Sequence, residues 1–108
     1  MTNSNAVSTT LHLTSGELAE VRRILADSLP DTEVWAFGSR VHGRHLKRYS
    51  DLDLAVAAPR LLASGRMAAA QAAFAESDLP FRIDLVEIAA VDKAFRQVIE
   101  SDHVVLQD

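Results

Sequence analysis

Two short apolar segments carry aspartates on what would be their exposed faces, and this arrangement strongly constrains the fold. In residues 51–57, aliphatic residues alternate with Asp51 and Asp53. Strict alternation predicts a half-buried β-strand, which places both carboxylates on the same face, about 6.5–7 Å apart along the chain. A second such segment, residues 81–88, carries Asp84 between aliphatic neighbours. The chain is therefore expected to form a sheet in which neighbouring strands bring three carboxylates together.

The remaining segments predict helices and further strands. Thr14 and Glu17 form a capping-box pattern ahead of apolar residues at helical spacing, and Asp92 is positioned to cap a later helix. Trp35, Phe95 and Val98 are predicted to belong to the core. Helices are predicted over residues 14–29, 39–42, 64–77 and after position 92, and strands over residues 33–37, 51–57, 81–88 and 103–106. This order predicts an α/β (α+β) domain with a small mixed sheet of three to four strands flanked by helices.

Length and composition indicate a single domain. The 108 residues fit one compact unit, with residues 1–13 as a flexible N-terminal segment and residues 14–108 as the domain. Neither a secretory signal nor an apolar run of about 20 residues is visible, so we expect a cytoplasmic protein without membrane contacts. The absence of cysteine excludes disulfides, thiolate zinc sites and a thiol nucleophile.

The charge distribution is uneven. The net charge of −4 argues against a domain whose main task is to bind a nucleic-acid backbone. Positive charge is concentrated between residues 40 and 48, here called the basic segment, which contains Arg40, Arg44, Lys47 and Arg48. Such a segment suits a small polyanion or an acidic patch on a partner, although a solvated basic loop has the same composition.

Three clustered carboxylates have a chemical consequence. Like charges on neighbouring strands repel, so Asp51, Asp53 and Asp84 form a stable cluster only if protons or cations neutralise them. Magnesium prefers oxygen ligands and commonly takes one or two carboxylates together with substrate phosphates. Two such ions, about 3.5–4 Å apart, can flank a reacting phosphorus atom.

A turn after the first strand completes the pattern. Gly38 lets a backbone approach a phosphate closely, the Ser39 hydroxyl and nearby amides can donate to it, and Arg40 adds positive charge. Each piece alone has an ordinary reading: a Gly-Ser turn, a chance Asp-x-Asp, and a structural Asp84 paired with Arg82 or Arg40. Their joint order along the chain is far more specific than any single motif.

At this point the sequence resembles a known family. Its motifs are similar to the signature of the polymerase-β-like nucleotidyltransferases, and the small size is similar to the minimal (MNT) branch. The matching motifs are Gly38-Ser39-Arg40 with Gly43, Ser50-Asp51-Leu52-Asp53-Leu54 and Ile83-Asp84-Leu85. The resemblance implies that Gly38 and Ser39, with Arg40 and Ser50, bind the nucleotide. It also implies that Asp51, Asp53 and Asp84 hold two magnesium ions, for which manganese can substitute, and that ATP is the substrate.

The resemblance also implies a partner. Minimal members are typically paired with a helical HEPN-domain RNase toxin, and they resemble enzymes that transfer AMP from ATP to a tyrosine of that toxin. The implied function is the antitoxin of a type VII-like MNT–HEPN system. Two alternatives stay open: a nucleotide-binding module that neutralises its partner by masking it, and a small-molecule nucleotidyltransferase completed by a partner subunit.

Overall fold

A four-stranded mixed sheet organises residues 11–108, the part of the chain that the computed structural model describes. The helices are α1 (Ser15–Ser28), α2 (Ser39–His42), α3 (Arg66–Ala75) and α4 (Lys93–Ser101). The strands are β1 (Val34–Phe37), β2 (Leu52–Val56), β3 (Ile83–Glu87) and β4 (His103–Gln107), and a short 3₁₀ turn (Ile88–Ala90) follows β3. The predicted fold class, a small mixed sheet flanked by helices, is confirmed.

Strand directions bring four chain segments to one end of the sheet. The strand order is β3-β2-β1-β4, with β1 antiparallel to both β2 and β4, and β2 parallel to β3. The carboxyl end of β1 therefore lies beside the amino ends of β2, β3 and β4. We call this the site end of the sheet.

The two faces of the sheet are covered differently. Helices α1 and α3 cover one face and enclose the larger core. That core includes Val34, Ala36, Leu52, Leu54, Ile83 and Leu106 from the strands, Val21 and Leu25 from α1, and Ala70 and Phe74 from α3. A smaller cluster on the other face contains Phe37, Ala55, Ile88 and Ile99. Because side chains alternate along a strand, Asp53 lies on the face opposite Leu52 and Leu54.

Helix starts follow the predicted capping residues. The Thr14 hydroxyl accepts from the Glu17 amide at 3.0 Å, and Glu17 accepts from the Thr14 amide at 2.9 Å. Asp92 accepts from the Phe95 amide at 2.8 Å and begins α4. These bonds satisfy backbone donors that a helix start leaves without partners.

Helix α4 buries less than its sequence predicts. Ile99 is fully buried, but Phe95 is 39% exposed and Val98 is 62% exposed. The prediction that both are core residues is wrong, because this face of the sheet has only a small cluster for the helix to cover. Trp35 is half-buried and stacks on His103 at 4.0 Å between ring centroids.

Residues 11–13 belong to the structured part of the chain. Leu11 and Leu13 pack against the larger core, and the His12 amide donates to the Arg40 carbonyl at 2.6 Å. The domain therefore begins before residue 14, where the sequence places its start. The rest of the predicted flexible segment, residues 1–10, lies outside the described residues. Within residues 11–108, no helix combines the length and apolar character needed to cross a bilayer.

Candidate active site

Strand pairing places Asp53 beside Asp84. The two residues are register partners across the parallel strands β2 and β3, whose backbones are about 4.8 Å apart in any sheet. Asp51 immediately precedes β2, two residues before Asp53, and is exposed. The sequence predicts this juxtaposition, and the structure brings all three carboxylates to the site end of the sheet.

The cluster carries uncompensated negative charge. Burial and, to a smaller extent, the neighbouring carboxylates of Asp84 and Asp51 together raise the pKa of Asp53 from its ordinary value of 3.8 to about 6. The ion pairs found within residues 11–108 join Arg23 to Glu20 and Asp27, and Arg96 to Glu100. None of them involves the three aspartates, so the alternative of a structural Asp84 paired with an arginine does not hold.

Gly38 packs directly against this cluster. It follows Phe37, the register partner of Asp53 across β1 and β2. Its φ of 82° lies in the left-handed region, and a Cβ atom at this position would collide with Oδ2 of Asp53. Glycine is therefore required both by the backbone conformation and by the approach of the carboxylate. The short helix α2 starts at the next residue, so its first turn opens beside the aspartates.

Arg40 has a structural role that the sequence does not predict. Its side chain is only 6% exposed and donates to the carbonyls of Ser50, His12 and Arg48 at 2.9, 3.0 and 3.2 Å. The guanidinium also stacks over the Phe81 ring, 4.2 Å from its centroid. These contacts use three of its five N–H donors, so Arg40 fixes the loop before β2. No local pattern signals this role, because its partners are distant in sequence. Its predicted contact with a triphosphate stays a prediction.

Ser50 shapes the turn that leads into the cluster. Its hydroxyl accepts from the Lys47 amide at 2.8 Å, and its amide donates to the Lys47 carbonyl at 3.1 Å. Its predicted contact with a nucleotide stays a prediction. In the remainder of the basic segment, Arg44, Lys47 and Arg48 are exposed.

The donor set suits a hard cation that arrives with phosphate. Within residues 11–108, no three acidic or histidine side chains converge closely enough to form a complete metal site by themselves. Magnesium usually completes its shell with waters and substrate oxygens, so three spaced carboxylates fit it.

A mixed sheet with a glycine-serine turn and three aspartates at one end is the arrangement that the sequence motifs predict. Residues 18–106 match the family model described as the nucleotidyltransferase domain. The chain belongs to this family and is a nucleotidyltransferase, and its fold is the polymerase-β-like fold that the resemblance implies. The matched range includes every predicted site residue.

Two individual proteins are similar to this chain. The chain is 46% identical over 101 residues to a probable protein adenylyltransferase, MntA, of Haemophilus influenzae, a match that covers 91% of this chain and 85% of that protein. A crystal structure of a toxin–antitoxin with AMP-PNP contains a similar chain, with a TM-score of 0.67 and 25% identity. That match covers 88% of this chain and 73% of the other.

We predict that Arg40→Ala lowers the free energy of unfolding by about 3 kcal/mol, because it leaves three carbonyls without their donor. Urea denaturation measures this loss. Arg40→Lys keeps the charge but cannot donate in the same three directions. Its free energy of unfolding should therefore lie between those of the wild-type protein and Arg40→Ala. The exposed Arg60→Ala is the control and should change stability by less than about 0.5 kcal/mol. Equal effects for Arg40→Ala and Arg60→Ala would contradict the structural role.

Asp53 should make stability depend on pH in metal-free buffer. Its folded-state pKa lies above its unfolded value, so the folded protein loses stability as pH rises from about 4 to about 6. Asp53→Asn removes this penalty. It should stabilise the protein by about 1 kcal/mol at neutral pH, a figure reduced for solvent screening of a half-buried group, and by nothing near pH 4.

Thermal denaturation with EDTA, at both pH values, measures the difference. Asp78→Asn, an exposed aspartate outside the cluster, serves as the matched control. A stability gain for Asp53→Asn that is the same at both pH values would refute the charge explanation.

Proposed function

We propose that this protein is a protein adenylyltransferase that acts as an antitoxin in the cytoplasm. It transfers AMP from ATP to a tyrosine hydroxyl of a HEPN-domain toxin and so neutralises it. The observation that carries the proposal is the Asp53–Asp84 pair, in which Asp53 lies directly against the Gly38 turn. The probable protein adenylyltransferase and the toxin–antitoxin with AMP-PNP support the choice of nucleotide and partner.

The Gly38 turn is the proposed triphosphate site. Gly38 and Ser39 supply a close backbone approach, a hydroxyl and the amides that open α2, while Asp51, Asp53 and Asp84 would hold magnesium or manganese. When bound, two such ions neutralise the triphosphate and the departing pyrophosphate. The exposed cations Arg44, Lys47 and Arg48 follow in sequence and add positive potential at this end of the sheet.

The transfer is an in-line displacement at phosphorus. The tyrosine oxygen attacks the α-phosphorus, a new oxygen–phosphorus bond forms, and the bond from the α-phosphorus to the oxygen bridging the β-phosphate breaks. Pyrophosphate leaves with that oxygen, and the phenol proton passes to a carboxylate. Asp84 is suited to accept it because it is exposed beside Asp53.

A second candidate function is neutralisation by masking. The exposed apolar residues Phe95, Val98 and Val105 favour it, because they offer a surface that a partner can cover without any chemistry. The nucleotide would then be a structural ligand. The two functions differ in whether the partner becomes covalently modified.

Co-expression with the toxin tests the enzyme. We expect a complex in which the toxin gains about 329 Da for each AMP residue, measured by intact mass spectrometry. Asp51→Asn and Asp53→Asn should abolish the gain and leave the complex intact, because these side chains face the nucleotide. Glu76→Gln, an exposed acid on the helix-covered side, is the control. Full neutralisation of an unmodified toxin by the wild-type protein would establish masking instead.

ATP binding should require a divalent cation. Without one, three aspartates repel the triphosphate, so we expect EDTA to weaken binding by at least about tenfold relative to magnesium. Isothermal titration calorimetry measures both affinities. In EDTA, Asp53→Asn should bind ATP more tightly than the wild-type protein, because one repelling charge is gone. Equal affinity of the wild-type protein with and without magnesium would contradict the metal role.

A further inference from the structure

The paired carboxylates lie on the less covered face of the sheet. Asp53 alternates with the buried Leu52 and Leu54, and Asp84 is its register partner on β3. Both therefore lie on the face opposite α1 and α3. A cavity of about 690 Å³ on the outer flank of β3 is lined by Phe74 and other residues of the α1–α3 side, and neither Asp53 nor Asp84 lines it. A protein that brings a hydroxyl to the pair must approach the face that α4 partly covers.

One lateral row of residues links the carboxylates to α4. Across β4, β1, β2 and β3, the register partners at the site end are His103, Phe37, Asp53 and Asp84. Neighbouring strands are about 4.8 Å apart, so Phe37 lies one strand spacing from Asp53 on the same face. Phe95 of α4 contacts the Phe37 ring edge-on, with 5.8 Å between centroids. The exposed surface of α4 therefore begins beside the carboxylate pair.

Three exposed apolar side chains extend from this contact. They are Phe95, Val98 and Val105, here called the α4 patch. Phe95 and Val98 are three positions apart on α4, so they are neighbours on the helix surface. Val105 is the register partner of Trp35, which packs in the smaller cluster, so it lies on the same face of the sheet. An exposed apolar group beside a reactive site is typical of an interaction surface.

Charged residues of both signs border the α4 patch. Lys93, Arg96 and Glu100 are exposed on α4, and the exposed Asp102 follows it. Arg96 and Glu100 pair with each other at 3.6 Å. A phosphate backbone would need a border that is mainly positive, whereas an apolar centre with a mixed polar rim is the composition of a protein–protein interface. The surroundings of the patch therefore favour a protein as its occupant.

We propose that the α4 patch is the docking surface for the protein that brings the acceptor hydroxyl. The inference rests on the proposed function and names the surface through which its partner binds. The partner covers Phe95 and Val98 with an apolar centre of its own, and its tyrosine lies at the margin nearest Phe37. From that margin the phenol oxygen reaches the Asp53–Asp84 pair. Docking and transfer thus use neighbouring but different residues of one face.

A charged substitution tests the patch in the intact complex. Val98→Glu should weaken the complex with the toxin, and raise the KM for the toxin, by at least about tenfold, because the carboxylate loses water without gaining a partner. The kcat at saturating toxin and the affinity for ATP should stay nearly unchanged. Calorimetry measures both affinities, and intact mass follows the transfer. Glutamate is a good helix former at an exposed position, so the fold should be kept, as thermal denaturation would show.

Leu61→Glu is the matched control for this substitution. Leu61 is 61% exposed and Val98 is 62% exposed, so both variants replace an exposed aliphatic side chain with the same charge. Leu61 follows β2, and the amide of the next residue, Leu62, donates to Glu87 at the carboxyl end of β3 at 2.8 Å. This segment is therefore at the end of the sheet opposite the site. The affinity of Leu61→Glu for the toxin should equal that of the wild-type protein.

Photo-crosslinking keeps the test independent of how well Val98→Glu folds. The photoreactive p-benzoylphenylalanine is placed at position 98 or at position 61 of the full chain, and the complex with the toxin is irradiated. We expect a covalent adduct with the toxin from position 98 and none from position 61, measured by intact mass spectrometry. A crosslink from position 98 to a second copy of this chain, in place of the toxin, would overturn the proposal and assign the patch to self-association.

The outcomes separate this inference from the proposed function. Equal toxin affinities for Val98→Glu and Leu61→Glu would overturn the docking surface, and transfer by Val98→Glu with an unchanged KM would do so while leaving the proposed function intact. If the wild-type protein transfers no AMP, the proposed function fails. A toxin crosslink from position 98 would then still support the patch as the surface that the partner covers.

Discussion

The repulsion between Asp53 and Asp84 is the constraint on which the site depends. The two carboxylates are register partners on parallel strands, and burial holds one of them partly away from water. Such a pair would separate if the strands were free to move. Leu52, Leu54 and Ile83 prevent this, because they alternate with the aspartates and are buried in the larger core. The hydrophobic face of the sheet thus stabilises the unfavourable charge on the other.

The nearest buried cation does not relieve this repulsion. Arg40 follows the Gly38 turn by two residues, yet its guanidinium donates to three backbone carbonyls and stacks on Phe81. It joins the segment before α1, helix α2 and the loop before β2 into one support. Positive charge is therefore used for the scaffold, and the cluster keeps its negative charge. Under the proposed function, neutralisation is left to cations that bind with the substrate, which would couple metal binding to nucleotide binding.

The site is flanked by two surfaces of different character. On the β3 side lies a cavity with an aromatic floor, and on the other face of the sheet α4 exposes Phe95 and Val98. A domain of this size has little material with which to enclose an acceptor. Both surfaces are open to another molecule.

Local pattern was enough to predict the helices and strands and which aspartates share a face. Alternation in residues 51–57 places Asp51 and Asp53 on one face of a strand, and the Thr14–Glu17 box starts α1, because both depend only on neighbours in sequence. The tertiary structure decided that β2 and β3 are parallel and in a register that pairs Asp53 with Asp84. It also brought Arg40 to the three backbone carbonyls that it supports, and it left Val98 exposed to solvent. Periodicity tells which residues share a face, whereas partners, register and burial depend on segments that meet only after the chain has packed.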